Sequence, residues 1–517
     1  MIDILLAHSN FVALDPKQSA RMRPYPPLAT LYAASMLRDA GYRIALFDAT
    51  FASNAADFGE ALNIHRPRLV ALYEDNFNFL SKMCLHRMRT EALRMLGMAR
   101  ASGARCVAAG SDVTDHPTVY LAHGADLALI GEADHTVVET VALLLGATPG
   151  STVNDLAQTC TLPDGVAWQS SDCVKSTPRR PSERRIDRFP VPAWDLVEVE
   201  RYRNAWRNAH GYFSVNMATT RGCPYRCNWC AKPIWGQQYA VRSPRAVASE
   251  LSQLKRTIAP DHIWFADDIF GLKRGWIENF AVEVEALEAR VPFMIQSRAD
   301  LMTADAVTAL ARAGCSEVWL GAESGSQKIL DAMDKDVSIA EIGDARRRLG
   351  EAGIRVGFFL QFGYPGETHR DIMLTVQMVR DLLPDEIGVS VSYPLPGTRF
   401  HVLVRDQLGA QVNWIDSGDL AMMFQGPYRS PFYRRLHDVL HRDFEYRQLR
   451  NRPDLPLKTG DWRHGRQLAE LARIVEAEWQ ELDQLEKLHR NTHPTQLPPV
   501  MAAIAAPKPF RRALAAP

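Results

Sequence analysis

The feature that most constrains this chain is an alternation of short apolar runs with helix-length segments, and it occurs twice. Over the first 145 residues the runs are "DILLAHSN", "YRIALFDAT", "RLVALYEDN", "ARCVAAGSD" and "LALIGEAD". In the intervening "PPLATLYAASMLRDAGY", Leu28, Leu31, Tyr32 and Met36 recur at helical spacing. Pro27 suits that helix's start and Gly41 its stop. Five strands with intervening helices predict a doubly wound, Rossmann-like α/β domain over residues 1–148. Ligands of such sheets sit beyond the carboxyl ends of the strands, which here carry Ser9, Asp48, Glu74, Gly110, Ser111, Gly131 and Glu132. Gly and Ser at those places also serve as plain turn residues. No G-x-G-x-x-G follows the first strand, so a nicotinamide or flavin dinucleotide is a weak reading.

Residues 149–211 read as a linker with a small hairpin in "LPDGVAWQSS", turning at Asp164-Gly165. The Pro- and Arg-rich "STPRRPSERRIDRFPVPAWDLV" reads as ordered linker with a solvated charge run. Alternation resumes over 212–400 with "YFSVNMATT", "HIWFADD", "PFMIQSRAD", "EVWLGAES", "IRVGFFLQFG" and "IGVSVSYP". Ser243-Pro244 offers an N-cap and first helical residue, Ser338 and Glu341 a capping box, and Gly353 a helix stop. Six such units predict a partial (β/α) barrel. Its strand ends bring Arg221, three cysteines, Asp267, Asp268, Gln296, Arg298, Glu323, Gln361 and Tyr393 to one mouth. A helical C-terminal domain over 401–490 is expected to cover that mouth. There Leu468, Leu471, Ile474 and Trp479 mark one apolar helix face, and "MMFQGPYRSPFY" suits either an apolar ligand or core packing. Residues 491–517 read as a disordered tail.

Lys+Arg and Asp+Glu both number 60, so nothing demands nucleic acid or an anionic membrane. The start lacks a basic region followed by a long apolar stretch, and no apolar run reaches spanning length. Eight thinly spread cysteines are not a secreted disulfide framework, so a reducing cytoplasm fits best.

Three of those cysteines are not spread: Cys223, Cys227 and Cys230 fall within "RGCPYRCNWC". A structural zinc site wants four protein ligands, and Cys315, His210 and His262 have no finger spacing to them. A redox pair of Cys227 with Cys230 leaves Cys223 unexplained. An iron–sulfur cubane uses all three and keeps its fourth iron open.

This C-x3-C-x2-C spacing, with Trp229 before the last cysteine, resembles the signature of radical S-adenosylmethionine (SAM) enzymes. "GAES" (Gly321, Ala322, Glu323, Ser324) resembles the family's segment that holds the SAM amino group, and "GAESGSQKILDAMDK" the form shared with methylthiotransferases. "FFLQFGYPGET" and "SYPLPGT" resemble the segments on strands five and six. The resemblance implies a [4Fe–4S] cluster on Cys223, Cys227 and Cys230, whose electron splits SAM to a 5′-deoxyadenosyl radical. It implies Glu323 on the SAM ammonium, Arg298 on the SAM carboxylate or in a structural ion pair, and Gln296 and Trp229 near the cofactor, Trp229 being equally a core aromatic. Asp267 and Asp268 fit substrate or ribose contacts, Asp268 equally a helix N-cap.

The N-terminal half resembles the cobalamin-binding domain that precedes many radical SAM domains. Gly131-Glu132 matches half of its Gly-Glu-x-Glu ending, with Asp134 in place of the second acid. The Asp-x-His-x-x-Gly motif is absent, so no histidine ligand to cobalt is expected. Ser9, Asp48, Gly110, Ser111, Gly131 and Glu132 are the candidates around cobalamin. The whole then resembles a cobalamin-dependent methyltransferase acting on an unactivated carbon of a small molecule, served by a flavodoxin- or ferredoxin-like electron donor. Its rivals are an oxidative cyclase like the anaerobic Mg-protoporphyrin ester cyclase, a radical enzyme whose N-terminal domain no longer binds cobalamin, and a non-catalytic iron–sulfur carrier.

Overall fold

The structure, a computed structural model, describes residues 2–451 and 464–492. The first apolar runs form β1 (Ile4–Ala7), β2 (Ile44–Phe47), β3 (Leu69–Tyr73), β4 (Arg105–Ala109) and β5 (Leu127–Leu129). They pair in parallel in the order β2-β1-β3-β4-β5. β1, β3 and β5 are buried throughout, because helices cover both faces of the sheet. The helix Leu28–Asp39 starts just after Pro27, and Gly41 follows it at a φ of 91°.

The hairpin is β6 (Val166–Gln169) with β7 (Val174–Ser176), and it extends the first sheet antiparallel beyond β5. Its turn lies at residues 170–173, not at Asp164-Gly165 as the sequence predicts. Gly165, at a φ of 79°, instead turns the chain into β6, and its carbonyl accepts the Ile130 N–H.

The second alternation forms β8 (Ser214–Met217), a short ribbon of β9 (Thr220–Arg221) with β10 (Ala240–Val241), then β11 (His262–Phe265), β12 (Phe293–Ser297), β13 (Cys315–Glu323), β14 (Arg355–Phe362) and β15 (Glu386–Val391). The six long strands make one curled, all-parallel sheet in the order β8-β11-β12-β13-β14-β15. Its helices begin where the sequence signs them: Ser243 caps the helix at Pro244, and Ser338 with Glu341 forms a full capping box.

The open side of this half-barrel is filled from the N-terminal domain. Tyr25 packs 4.7 Å from Trp264 and 5.2 Å from Trp206, and Asn216 Nδ2 donates to the Pro26 carbonyl at 3.0 Å. The C-terminal helices Ser430–Asn451 and His464–Thr492 pack together, the first against β15 and the helix His369–Leu382. They brace the sheet edge, while Phe400, Val404 and Phe424 pack in one cluster with Trp229 of the cysteine segment. Met423, Phe424, Tyr428, Phe432 and Tyr433 are buried, which settles "MMFQGPYRSPFY" as core. Leu468, Leu471 and Trp479 are partly buried on the side of the helix where Val475 and Leu482 are buried, while Ile474, 40% exposed, turns away from it. The tail beyond 492 lies outside the described residues.

Candidate functional site

The three cysteines lie on a loop from 222 to 239 that leaves and re-enters the fold through the β9–β10 ribbon. Gly222 opens it at a φ of 76°, and a Cβ there would sit 2.3 Å from the Gln238 carbonyl oxygen. Only glycine fits that approach. Gly222→Ala should thus reduce iron bound per chain to a small fraction of wild type, read by iron and sulfide analysis, through a backbone strain of about 1–3 kcal/mol.

Asn228 fixes the loop between Cys227 and Cys230. Its N–H donates to the Met333 carbonyl at 3.0 Å and its Nδ2 to the Ala332 carbonyl at 2.6 Å. Its Oδ1 accepts from the Tyr364 hydroxyl at 2.8 Å, and its carbonyl accepts the Phe400 N–H at 3.0 Å. Tyr364 of "FGYPGET" and Phe400, in the helix just after "PGT", thereby anchor the cysteine loop. Glu367 closes the first by accepting the Gly363 N–H at 2.6 Å, and burial pushes its carboxyl up to about 8.

Burial also raises the Cys223 thiol, and pushes the Cys230 thiol up to about 12, against the pull of the Lys232 ammonium. Among the described residues no three His, Cys, Asp or Glu side chains converge on a point one ion would fill. A cubane asks for something else, one thiolate per iron corner. Cys223, Cys227 and Cys230 are all free thiols on one pinned loop, and the Trp229 Nε1 between them is buried without an acceptor. This donor set fits an iron–sulfur cluster. His210 binds the Arg21 and Met22 carbonyls and His262 pairs with Ser214, so neither joins the loop.

β13 ends beside the loop. Glu323 has a φ of 58°, and its Oε1 accepts from Lys335 Nζ at 2.7 Å, both groups being buried. Lys335 Nζ lies 5.9 Å from the centre of the Trp229 ring. A Cβ on Gly321 would fall 2.5 Å from Lys335 Nζ and 2.8 Å from Glu323 Oε1, so this glycine makes room for the pair. Ala322 is fully buried, and Ser324 Oγ accepts the Ser326 N–H and pairs with Thr375 Oγ1. Those two residues shape the turn.

Arg298 makes a structural ion pair, one of its two expected roles. It donates to the Lys335 and Asp336 carbonyls, pairs with Asp300, and stacks 3.8 Å from the centre of the Tyr225 ring. It fixes the bend that presents Lys335, whose neighbours Asp334 and Asp336 both have positive φ. Asp267 is likewise internal: it accepts from the Thr219 and Thr220 N–H groups and the Thr219 hydroxyl, and burial pushes its carboxyl up to about 6. Asp268 caps no helix and pairs with Lys82 of the N-terminal domain. Gln361 bonds Ser392, and Tyr393 donates to the Met83 carbonyl. Gln296 lines a cavity inside the barrel.

At the carboxyl edge of the first sheet, several candidates already have partners. Asp48 accepts from the Tyr202 hydroxyl and pairs with His8, and the Ser9 N–H donates to Glu74. A Cβ on Gly110 would meet Glu74 Cβ at 2.8 Å, and one on Gly131 would meet the Arg179 guanidinium at 2.6 Å. Glu132, and with it Asp134, pairs with Arg221 at the foot of the cysteine loop. The same edge also holds buried polar atoms without a hydrogen-bond partner: Asn76 Oδ1, Ser81 Oγ and Ser111 Oγ. The helices Phe79–Lys82 and Ser111–Asp115, which carry Ser81 and Ser111, pack against each other. These atoms leave hydrogen-bonding capacity unspent at the carboxyl edge of the sheet, where ligands of such sheets sit.

Residues 217–379 match the family model of the radical SAM superfamily. The chain carries a radical SAM domain. That domain implies a [4Fe–4S] cluster and SAM. An uncharacterized methyltransferase of Pyrococcus horikoshii is 27% identical over 254 residues, 48% of this chain and 54% of that protein. The anaerobic magnesium-protoporphyrin IX monomethyl ester cyclase of Cereibacter sphaeroides is 26% identical over 290 residues, 55% of this chain and 45% of that one. The chain thus spans about half the length of these relatives. The solved structure of the cobalamin-dependent SAM radical enzyme OxsB with aqua-cobalamin bound superposes with a TM-score of 0.69 at 15% identity, covering 98% of this chain and 74% of that one. The radical SAM domain and the preceding sheet share that fold.

Lys335, Asn228 and the interdomain role of Arg221 are not singled out by the sequence pattern. Lys335 stands in "DAMDKD", where its only signal is a lone cation among acids close behind Glu323.

Proposed function

We propose that the chain is a cobalamin-dependent radical SAM methyltransferase acting on an unactivated carbon. The observation that carries this reading is the buried pairing of Glu323 with a cation beside the pinned cysteine loop, on the chain that also bears a sheet edge with orphaned polar atoms. When bound, the cluster with SAM supplies a hydrogen-abstracting radical and cobalamin supplies the methyl group.

The chain's own residues position and exclude. Cys223, Cys227 and Cys230 hold the cluster, and Asn228 holds their loop. Glu323 accepts the SAM ammonium in place of Lys335, a charge-assisted hydrogen bond in a buried setting. Ser81, Ser111 and Asn76 offer hydrogen bonds to the amide fringe of cobalamin.

Glu323→Gln should weaken SAM binding roughly ten- to hundredfold, as expected for one hydrogen bond to a charged group. Equilibrium dialysis of the iron-loaded variant reads this, with iron content as control.

The function is tested by anaerobic reconstitution with iron, sulfide and hydroxocobalamin, followed by reaction with SAM and cell extract. Formation of 5′-deoxyadenosine with S-adenosylhomocysteine and a product heavier by one methylene supports methyl transfer. The similarity to the cyclase favours a second reading, oxidative ring closure. An oxygenated ring product without S-adenosylhomocysteine would establish it instead.

A further inference from the structure

Each thiol of the cysteine loop has a tie of its own close by in sequence. Arg221, just before Gly222 and Cys223, pairs with Glu132 and Asp134. Asn228, next to Cys227, is bonded to the Ala332 and Met333 carbonyls. The third tie lies beyond Cys230 and comes from the linker between the domains.

The charge run of that linker, which reads as solvated in the sequence, has two engaged arginines. Arg180 Nε donates to Thr136 Oγ1 at 3.0 Å and its Nη2 pairs with Glu139, which fixes the linker on the helix Asp134–Gly146. Arg179 reaches across to the cysteine loop. Its Nη2 donates to the Pro233 carbonyl and, at 2.6 Å, to the Ile234 carbonyl.

Gly131 makes this crossing possible. It has a φ of 78°, and a Cβ there would fall 2.6 Å from Arg179 Nε and 2.9 Å from its Nη2. The guanidinium therefore lies on a bare α-carbon. One strand end thus serves both sides of the loop: Glu132 and Asp134 hold its entry, and Gly131 seats the arginine that holds its exit.

The exit is also buried. Ile234 and Trp235 belong to the hydrophobic cluster of Leu6, Tyr73 and Phe77, and the Trp235 ring centre is 5.0 Å from that of Phe77. Apolar burial is non-directional. A guanidinium presents its donors in a rigid plane, so Arg179 adds the direction in which the backbone leaves. Only Ala231 and Lys232 separate Cys230 from Pro233, so the thiol follows the anchor.

We propose that Arg179 is a positioning residue for Cys230, through which the strand end Gly131–Asp134 of the first sheet sets the exit of the cysteine loop. In this assignment Gly131 and Glu132 serve the cluster loop. The importance of Cys230 rests on the radical SAM reading above. The seating of its loop by Arg179 does not.

The test uses the full chain, freed of iron, in oxygen-free buffer, with iodoacetamide alkylation followed at each cysteine by mass spectrometry. Arg179→Met should speed alkylation of Cys230 about five- to tenfold, as loss of hydrogen bonds from a charged donor requires, and leave Cys223 within about twofold of wild type. Cys106, fully buried in the first sheet, is the internal control for opening of the fold. Arg179→Lys keeps the charge without the planar fork and should fall between Arg179→Met and wild type. After reconstitution with iron and sulfide, Arg179→Met should release iron to a chelator faster than wild type and show altered g-values for the reduced cluster.

Unchanged alkylation of Cys230 in Arg179→Met overturns the proposal. So does a rise shared by Cys223 or Cys106, which would make Arg179 a support of the fold at large. Wild-type protein that takes up no iron and sulfide defeats the radical SAM reading, and the alkylation pattern still decides the role of Arg179.

Discussion

Cys227→Ser should lower reductive SAM cleavage by at least ~1000-fold, equivalent to about 4 kcal/mol of barrier, and strip the iron from the protein. The reason is geometric. Cys227 precedes Asn228, the residue bonded to Ala332, Met333, Tyr364 and Phe400, so it is held where the loop moves least. Serine keeps the shape but replaces a soft thiolate by a hard, weakly acidic hydroxyl, a poor ligand for a cubane corner. Fold should persist, because Cys227 is only half-buried and belongs to none of the hydrophobic clusters. The check is iron and sulfide content, visible absorption and 5′-deoxyadenosine yield, with circular dichroism as the fold control. A variant that retains its iron and cleaves SAM would remove Cys227 from the cluster.

Arg221→Met should be the most destabilising single change outside the hydrophobic clusters, by about 3–5 kcal/mol. Arg221 is buried, pairs with Glu132 and Asp134, and lies 3.8 Å from the centre of the Phe189 ring. Its removal leaves two buried carboxylates uncompensated between the first sheet and the cysteine loop. The loss depends on pH with a definite sign. Burial already holds the Glu132 carboxyl above its ordinary range, with Arg221 opposing. Without Arg221 it rises further, so the folded variant keeps a proton that the unfolded chain releases. A raised acid pKa favours the folded state at low pH and loses that contribution as pH rises. The gap between variant and wild type should therefore be small near pH 5 and grow toward pH 8. Denaturant unfolding at both values measures it, and a gap that shrinks with rising pH contradicts the assignment.

The two sheets were legible because both alternations are long and their strands nearly continuously apolar, as in "DILLA" and "RVGFFLQF". Helix starts were legible wherever a cap is local, as at Ser243 and Ser338. The hairpin turn was misplaced because Asp164-Gly165 has turn chemistry, and only pairing with β5 shows that it bends the chain into β6 rather than around it. The cysteines stand out by their spacing and Glu323 by the resemblance of "GAES" to a family segment. Arg298, Asp267 and Asp268 stand out because they end strands, while the partners the structure gives them are distant in sequence: the Lys335 carbonyl, the Thr219 hydroxyl and Lys82. The same distance hid Lys335 itself. It hid the packing of Trp319 as well, since that ring finds its place only when Gly357 and Gly388 arrive on neighbouring strands.

The central claim is a cubane on Cys223, Cys227 and Cys230 whose fourth iron is open to SAM. Mössbauer spectra of the oxygen-free, iron-57-loaded protein, recorded before and after SAM is added, test it most directly. One iron of the cluster should change its isomer shift on adding SAM, and Glu323→Gln should require a higher SAM concentration for the same change. A fully loaded cluster whose spectrum is identical with and without saturating SAM would contradict the account.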